Sequence, residues 1–417
     1  RRKAPAGPHE DRGPMSDADH SPSPPMRLLI VVTHLLGSGH LTRAAAIAEA
    51  AARRGHAAML ASGGAPAPHL TDRADGVEIV QLPPVRSNGL DFKTLLDPEG
   101  APIDAAYRAR RIAALERLLE TCRPEAIVTE LYPFGRRILR DEFDRLLSRA
   151  EALSPRPRVW CSVRDILEPP SKPSRVPEVE AIVERRYDGV LAHGDPALHR
   201  LEASWPVGEA TANRVRYTGY VAPPPPRRSP EGPGAGEILV SAGGGSVGDR
   251  LFRAALAAAA DPRLEGRRWR LLVGGADRAA RIAAFEASAG PVAPVAIEPV
   301  RPDFREMLGR AALSISQCGY NTALDLAAAG APAVLVPFAE GGETEQSVRA
   351  QAFASRLGWR VIEEASLTPE GLADAAAKAL GDPPTAPTWR PSTDGAAEAV
   401  RILERDVAAA RASGRGG

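Results

Sequence analysis

The loop Gly37-Ser38-Gly39-His40 joins a short apolar run to an alanine-rich stretch. Its two glycines allow the backbone to turn tightly and to approach a ligand closely. A helix that begins here presents free N–H groups and the positive end of its dipole, which lowers the pKa of His40. A neutral imidazole can take a proton from a hydroxyl nucleophile. The alternative is a glycine turn with a histidine packed for structure, because a lone Gly-x-Gly is a weak signal.

A second glycine-rich segment, Gly243-Gly244-Gly245-Ser246, also lies between an apolar run and a predicted helix. Successive N–H groups in such a turn can form a nest that binds phosphate. No Gly-Lys-Ser/Thr follows, so the segment is not a P-loop, and it departs from the Gly-x-Gly-x-x-Gly fingerprint. It predicts either a phosphate-binding turn or a flexible strand–helix connection.

A third segment places Gly319, Asn321 and Thr322 where a strand gives way to a helix. Such a helix start favours anions. Asp325 follows Thr322 by three residues, on the same helix face, and its carboxylate can accept hydrogen bonds from ribose hydroxyls. The alternative is a solvent-facing aspartate stabilised by the helix dipole.

Glu345-Gln346 opens a fourth predicted helix after a strand. The Gln346 amide both donates and accepts hydrogen bonds, which suits sugar hydroxyls. By spacing alone, this segment is a capped helix with acidic residues in its first turn.

The elements that position these segments alternate along the chain, which indicates parallel sheets covered by helices on both faces. The predicted strands are 28–33, 57–61, 77–82, 126–130, 159–163, 189–193, 215–221, 238–241, 269–273, 295–299, 313–316, 333–337 and 360–362. The predicted helices are 40–54, 104–121, 136–152, 177–187, 248–260, 276–288, 303–311, 320–329, 344–356, 368–380 and 393–412.

The same pattern predicts two doubly wound α/β domains, whose ligands bind at the carboxyl ends of the strands. We expect a disordered tail over 1–25, a first domain over 26–221, a Pro-rich linker over 222–236, a second domain over 237–385, and a C-terminal helix and tail over 386–417. The stretch 85–100 is predicted to be a loop.

The composition of the chain argues against several classes of partner and binding site. Charged residues make up 25% of the chain, hydrophobic residues 44%, and the net charge is +1, so a nucleic-acid partner is not favoured. Cys122, Cys161 and Cys318 are widely spaced, which argues against disulfides and structural zinc. No run approaches the ~20 apolar residues that span a bilayer. We expect a cytoplasmic protein.

The run from Ser316 to Gln346 carries the most specific pattern: Ser-x-x-Gly-x-x-Thr, an acidic residue three positions on, Ala-Ala-Ala-Gly-x-Pro, Val-Pro-Phe, and Glu-Gln. With the two glycine-rich segments, it resembles glycosyltransferase family 28 and the relatives of the N-acetylglucosaminyltransferase that forms lipid II. The resemblance covers most of residues 27–380 and is strongest in the second half.

That resemblance implies a GT-B fold, in which two Rossmann-like domains face a central cleft and the second domain holds a nucleotide-sugar, usually a UDP-sugar. It implies that His40 is the catalytic base or a phosphate-side contact. The residues implied to bind the donor are Gly243, Gly244, Gly245, Ser246, Gly319, Asn321, Thr322, Asp325, Glu345 and Gln346. Asp325 stands where the lipid II enzyme has a glutamate.

Acceptor-side candidates lie in the first domain, at the glycine loop and at the ends of predicted strands. They are Gly37, Ser38, Gly39, Glu130, Arg164, Asp165 and His193. Glu130 and Asp165 are equally compatible with caps of loops. The acceptor itself is not identified by the sequence; relatives use lipid-linked sugars, among others, and a peripheral contact with the inner face of a membrane stays open.

The implied reaction is metal-independent transfer of a hexosyl or N-acetylhexosaminyl group to an acceptor hydroxyl, with no cofactor, since the nucleotide-sugar is a substrate. No metal ligand is predicted, because the sequence Asp17-Ala18-Asp19 falls in the expected tail. Two alternatives stay open. One is a UDP-sugar hydrolase in which His40 activates water, and the other is a non-catalytic nucleotide-sugar-binding protein.

Overall fold

The strands form where the sequence has short, nearly continuous apolar runs, as expected for sheets buried on both faces. The computed structural model describes residues 24–35, 38–68, 74–88, 91–225, 230–289, 295–339, 344–382 and 389–413. The strands of the first half are β1 (Arg27–Val32), β2 (Ala57–Ser62), β3 (Val77–Gln81), β4 (Arg86–Asn88), β5 (Asp91–Leu96), β6 (Ala126–Glu130), β7 (Arg158–Arg164), β8 (Gly189–His193) and β9 (Val215–Tyr217).

Seven of these strands form one parallel sheet in the order β3-β2-β1-β6-β7-β8-β9. The helices that cover it are α1 (Gly39–Arg53), α2 (Ala105–Cys122), α3 (Arg140–Glu151), α4 (Arg175–Arg186) and α5 (Glu209–Arg214). The small side chains of α1, such as Ala44, Ala48 and Ala51, are buried and let this helix lie close to the sheet.

The second half builds a parallel six-stranded sheet in the order β12-β11-β10-β13-β14-β15. Its strands are β10 (Ile238–Ser241), β11 (Trp269–Val273), β12 (Val295–Pro299), β13 (Leu313–Ser316), β14 (Ala333–Leu335) and β15 (Arg360–Val361). Its helices are α6 (Asp249–Ala258), α7 (Arg278–Ser288), α8 (Phe304–Leu308), α9 (Tyr320–Ala329), α10 (Glu345–Leu357) and α11 (Pro369–Gly381). In both sheets the strand order reverses beside the first strand, at β1/β6 and β10/β13, which opens a crevice for ligands.

The last helix, α12 (Gly395–Ser413), returns to the first domain. Its Val400, Leu403 and Val407 share a core with Leu28 of β1 and Ile47 of α1. The chain therefore crosses between the domains twice, and the crossings are hydrogen-bonded to each other: the Tyr220 amide donates to the Ser392 carbonyl at 2.8 Å, and Gly395 donates to Tyr220 at 3.0 Å.

Two local predictions are wrong. The stretch 85–100 contains the antiparallel hairpin of β4 and β5 instead of a loop. The helix predicted over 136–152 begins later, because Arg136 is left-handed at φ 58° and is followed by a 3₁₀ turn over Arg137–Leu139 before α3. Most of the predicted tail, residues 1–23, lies outside the described residues, as do linker positions 226–229.

The predicted architecture of two doubly wound α/β domains is confirmed. Across the parts of the chain that the structure describes, no helix has the length and apolar character needed to cross a bilayer.

Candidate active site

His40 is the second residue of α1, the helix that follows β1, and 14% of its side chain is exposed. Glu130 is the last residue of β6, the parallel neighbour of β1. Because parallel neighbours end at one edge of the sheet, the two side chains meet, with Nδ1 of His40 at 2.8 Å from Oε1 of Glu130. A carboxylate only accepts, so Nδ1 carries the hydrogen and Nε2 has the lone pair. Nε2 is therefore the atom of His40 that can take a proton.

Arg43 lies one turn along α1 and forms an ion pair with Oε1 of Glu130. Burial alone would raise the pKa of Glu130, but the Arg43 charge and the hydrogen bond with His40 hold it well below its ordinary range. Burial lowers the pKa of His40 to about 4, against the opposing effect of Glu130. His40 is therefore neutral at physiological pH. The sequence predicted this direction from the helix dipole, whereas burial is the principal cause.

The hydrogen bonds continue from Glu130 through the ends of three further strands. Ser162 of β7 donates to Oε2 of Glu130 at 2.6 Å, and its oxygen lies 3.0 Å from Nε2 of His193, the last residue of β8. Nδ1 of His193 lies 2.8 Å from the Thr218 hydroxyl, just after β9. Ser162, His193 and Thr218 are all buried, so this chain holds Glu130 in place.

This burial corrects one prediction. His193 was expected to face an acceptor, but the residue is 0% exposed and its ring nitrogens are occupied by Ser162 and Thr218. Burial and the Arg43 charge lower its pKa to about 3, so it stays neutral. His193 and Glu130 are both enclosed, whereas the side chain of His40 keeps some exposure.

A second polar cluster joins the domains. Arg349 of α10 donates to both carboxylate oxygens of Asp165, at 3.0 and 2.9 Å, and to Glu345 at 2.6 Å. Glu345 also pairs with Arg164, the last residue of β7. Burial would raise the pKa of Asp165, but Arg349 lowers it, so this carboxylate is charged. Asp165 and Glu345 thus bridge the two domains, whereas the sequence predicted them as acceptor and donor contacts.

Tyr320, the first residue of α9, sits between these two clusters. The guanidinium carbons of Arg43 and Arg349 lie 5.8 and 5.6 Å from its ring centroid. Its hydroxyl accepts from the Val221 amide at 3.1 Å. A tyrosine of the second domain is therefore held by cation–π contacts with an arginine from each side of the cleft.

The start of α9 lines the cavity between the two domains. Gly319 caps the helix, Asn321 is exposed and Thr322 is half-buried. Asp325, one turn on, pairs with Arg305 at 2.6 Å. Burial raises the pKa of Asp325 although Arg305 opposes this effect. Asp325, the residue predicted to bind the ribose, is thus positioned by Arg305, an arginine that the sequence did not single out.

A cavity of about 470 Å³ separates α9 from α1 and from the first interdomain crossing. The predicted site residues that line it are Gly39, Asn321 and Asp325. Arg43 and Arg305 also line it, so one cavity collects a glycine of the His40 loop, the start of α9 and two cations.

The turn Gly243–Ser246 follows β10 and is exposed over Gly244–Ser246. Gly243 has φ +78°, which favours glycine, and a Cβ placed on Gly243 or Gly244 would meet nothing within 4 Å. Ser246 donates to Asp277 at 2.5 Å. The open side of this turn can therefore admit a ligand to the backbone N–H groups.

Gln346, which was predicted to bind the donor, makes hydrogen bonds within the protein. Its side-chain oxygen accepts from the amides of Cys318 and Phe338, at 2.9 and 3.2 Å. These bonds tie the loops after β13 and β14 together. The amide nitrogen of Gln346 is left as the group that can donate to a ligand.

The glycine loop itself is only partly described. Gly37 lies outside the described residues, together with residue 36. The Ser38 carbonyl accepts from the amide and hydroxyl of Thr42, at 2.9 and 3.1 Å, and a Cβ on Gly39 would meet nothing within 4 Å. Ser38 therefore caps α1 through its backbone, and space is free beside Gly39.

Residues outside the predicted site complete the two clusters and the ion pair of Asp325. They are Arg43, Ser162, Arg305, Tyr320 and Arg349. The one available signal was position: Arg43 is one turn from His40, and Ser162 lies in a strand-end run that already contained Arg164. Within the described part of the chain, no group of three or more His, Cys, Asp or Glu side chains could hold a metal ion.

Residues 239–401 match the glycosyltransferase family 28 C-terminal domain. A UDP-N-acetylglucosamine--N-acetylmuramyl-(pentapeptide) pyrophosphoryl-undecaprenol N-acetylglucosamine transferase of Rhizobium etli is 33% identical over 178 residues, which cover 42% of this chain and 46% of that protein. The protein of the same name from Brucella canis is 32% identical over 181 residues, covering 41% of this chain and 46% of the relative. The match thus spans less than half the length of these curated relatives.

More than nine-tenths of the chain is similar in fold to solved glycosyltransferase structures. MurG of Acinetobacter baumannii has a TM-score of 0.57 and 16% identity, covering 91% of this chain and 99% of that one. The calicheamicin glycosyltransferase has a TM-score of 0.55 and 19% identity, covering 92% and 95%. At these identities the likeness establishes the fold. The GT-B fold and the resemblance to family 28 are both confirmed.

Proposed function

Since residues 239–401 match the family 28 C-terminal domain, we propose that the chain transfers a hexosyl or N-acetylhexosaminyl group from a nucleoside-diphosphate sugar to an acceptor hydroxyl. The observation that carries the proposal is a neutral His40, held by Glu130, in the first turn of α1, whose Gly39 and Arg43 line a cavity opposite the start of α9. The helix on one side of that cavity carries a base, and the other side supplies the N–H groups that suit a diphosphate.

The reaction proceeds by in-line displacement. The acceptor hydroxyl loses its proton to Nε2 of His40, its oxygen bonds to the anomeric carbon, and the bond from that carbon to the diphosphate breaks. The imidazolium that forms is stabilised by Glu130, which is already charged and lies at 2.8 Å. Backbone N–H groups at Gly243–Ser246 and at the start of α9 stabilise the leaving nucleoside diphosphate. No step in this scheme requires a metal ion or a cofactor.

The donor positions are proposed from the resemblance to family 28. Gly319, Asn321 and Thr322 lie along the diphosphate, and Asp325, oriented by Arg305, accepts from the ribose hydroxyls. Gln346 donates to the sugar through its free amide nitrogen. The relatives from Rhizobium etli and Brucella canis are named for UDP-N-acetylglucosamine, so this is the donor we propose to test first.

The test begins with binding. A ligand that binds only the folded state raises Tm by mass action, so UDP, dTDP, GDP and ADP are compared by thermal shift, each at the same concentration. We expect a rise with UDP above the rise with the other three. No shift with any nucleotide would remove the basis of the proposal.

Turnover is then measured with UDP-N-acetylglucosamine, with and without a panel of acceptor alcohols. Sugar transfer that depends on an acceptor supports a transferase. Release of free sugar at the same rate without acceptor would identify a hydrolase in which His40 activates water, and nucleotide binding without any turnover would identify a binding protein.

A further inference from the structure

A second cavity, of about 550 Å³, lies within the first domain beside the His40 loop. Its walls come from the residues after β1, β6 and β7. The apolar side chains that line it are Leu35, Leu131, Phe134, Ile138, Leu167 and Trp205. Phe134 and Trp205 meet edge to face, with ring centroids 5.6 Å apart, and form a rigid aromatic surface.

The polar lining of this cavity is almost entirely cationic. Arg136, Arg137, Arg164 and Arg175 line it, against the single exposed carboxylate of Glu168. Two of the arginines are already paired, Arg164 with Glu345 and Arg175 with Glu178. The Arg136 and Arg137 side chains make no hydrogen bond or ion pair with any described residue.

Buried N–H donors without a partner concentrate at the same place. Nε of Arg136, Nε of Arg164 and Nε1 of Trp205 are all buried and have no hydrogen-bond partner within the described part of the chain. All three belong to side chains that line this cavity. A buried, unsatisfied donor costs about 1–3 kcal/mol. These three atoms are themselves enclosed, so the cations that a ligand in the cavity would meet are those of Arg136 and Arg137, which favour a group with negative charge and acceptor oxygens.

Arg136 keeps this position despite the cost of its buried, unsatisfied Nε. Its backbone lies in the left-handed region, at φ 58°, which a non-glycine residue adopts rarely. Burial lowers its pKa to about 10, so it is still charged at neutral pH. Arg136 also lowers the pKa of His40 through its charge, which puts the free cation within electrostatic range of the proposed base.

We propose that this cavity binds the acceptor, and that the acceptor carries a carboxylate or phosphate ester next to an apolar ring or chain. The anion pairs with Arg136, the apolar part lies against Phe134 and Trp205, and the reacting hydroxyl points towards His40. This inference rests on the proposed transferase function, and it adds the chemical class of the second substrate.

The test uses probes in matched pairs on the full chain. The carboxylate pair is 4-hydroxybenzoate and 4-hydroxybenzamide, and the phosphate pair is octyl phosphate and octyl glycerol ether. Binding is measured by isothermal titration calorimetry. We expect the charged member of at least one pair to bind at least 10-fold more tightly, and the pair that does so identifies the source of the anion. Equal binding of charged and neutral members in both pairs would overturn the proposal.

Variants then locate the site. Arg136→Met should weaken the preferred anion at least 10-fold, and Arg136→Lys should recover part of that loss because the charge is kept. Arg175→Met is the matched control: it removes another arginine of the same cavity that is already paired with Glu178, and it should change the Kd less than threefold. An unchanged Kd in Arg136→Met, or an equal loss in the control, would contradict the assignment.

The experiments distinguish failure of the acceptor-cavity proposal from failure of the transferase proposal. The UDP thermal shift of Arg136→Met should match that of the unmodified chain, which also shows that the variant is folded. Retained UDP binding with no anion preference overturns only the acceptor cavity. Anion binding with no nucleotide binding overturns the transferase proposal and leaves an anion site of another purpose, which contradicts the acceptor assignment as well.

Discussion

The two walls of the cleft are built from different parts of the chain. On the wall of the first domain, side chains from α1 and from the ends of β6, β7 and β8 form one buried hydrogen-bonded chain from His40 to Thr218. On the wall of the second domain, the exposed turn Gly243–Ser246 and the start of α9 present mainly backbone. The first wall therefore depends on residue identity, and the second on backbone conformation.

Substitution of the base should have the largest effect. His40→Ala removes the proton acceptor, and general-base catalysis contributes about 10²–10⁴-fold to rate. We expect kcat to fall by about that factor in a transfer assay, while the UDP thermal shift stays unchanged because the donor wall is intact. Near-normal transfer by this variant would mean that the side-chain wall does not carry the chemistry.

Glu130→Gln tests whether the first wall acts as a unit. Loss of a carboxylate that orients a catalytic histidine can lower kcat by as much as about 10⁴-fold, and it leaves Arg43 buried without its counter-ion. Since Glu130 raises the pKa of His40, the acid limb of the pH–rate profile should move below its position near pH 4 as kcat falls. If the maximal kcat falls but the acid limb of the pH–rate profile stays at the same pH, the role of Glu130 is structural alone.

On the second wall, Gly244→Ala should act on binding alone. A Cβ there meets nothing within 4 Å, so folding should be unaffected, but the methyl group occupies the space of the donor phosphates. We expect the donor KM to rise about 10-fold, equal to about 1.4 kcal/mol, with the Kd of the charged acceptor probe unchanged. An unaltered donor KM would remove this turn from the donor site.

Gly243→Ala is the matched comparison for that variant. Gly243 has φ +78°, and a left-handed non-glycine residue costs about 1–2 kcal/mol. Stability should therefore fall in this variant and not in Gly244→Ala. Urea unfolding of the two proteins distinguishes strain in the turn from occlusion of the ligand.

The smallest change in turnover is expected from His193→Gln, since His193 is three hydrogen bonds away from His40, through Ser162 and Glu130. We expect kcat to change less than about threefold, because Ser162 still donates to Glu130. The clearer effect is on stability. The pKa of His193 is about 3 in the folded protein and 6.5 for an ordinary histidine.

This difference in pKa sets the direction in which stability changes with pH. As pH falls below 6.5, the unfolded state takes up a proton that the folded state excludes, so stability is lost on acidification. At pH 5 the loss from one such histidine is about 2 kcal/mol. His193→Gln should therefore show a smaller drop in Tm between pH 7 and pH 5. An identical drop in both proteins would show that His193 is not held neutral.

Local sequence patterns were sufficient for most of the architecture. Apolar runs located the strands of both sheets, and glycines at strand ends located the turns at Gly243 and Gly319. The hairpin β4–β5 was missed because its two short strands pair only with each other. The 3₁₀ turn before α3 depends on the left-handed Arg136, for which the sequence holds no marker.

The site was less predictable because its contacts are distant in sequence. Arg43 and Glu130 are 87 residues apart, and Asp165 and Arg349 are 184 apart. The sequence identified Glu130 and Asp165 as strand-end carboxylates, but only the packing of β1 against β6, and of one domain against the other, shows which cation each one binds. From the sequence alone, these two strand-end carboxylates were equally compatible with contacts to an acceptor.

The return of α12 has a topological consequence. Since α12 completes the core around β1 and α1, the six-stranded domain is an insertion between β9 and α12. Its points of departure and return are adjacent, where Val221 and Asp394 form a β-bridge. The second domain is therefore a cassette with neighbouring ends: chimeras with other GT-B proteins must exchange it at these two points and keep the final helix with the first domain.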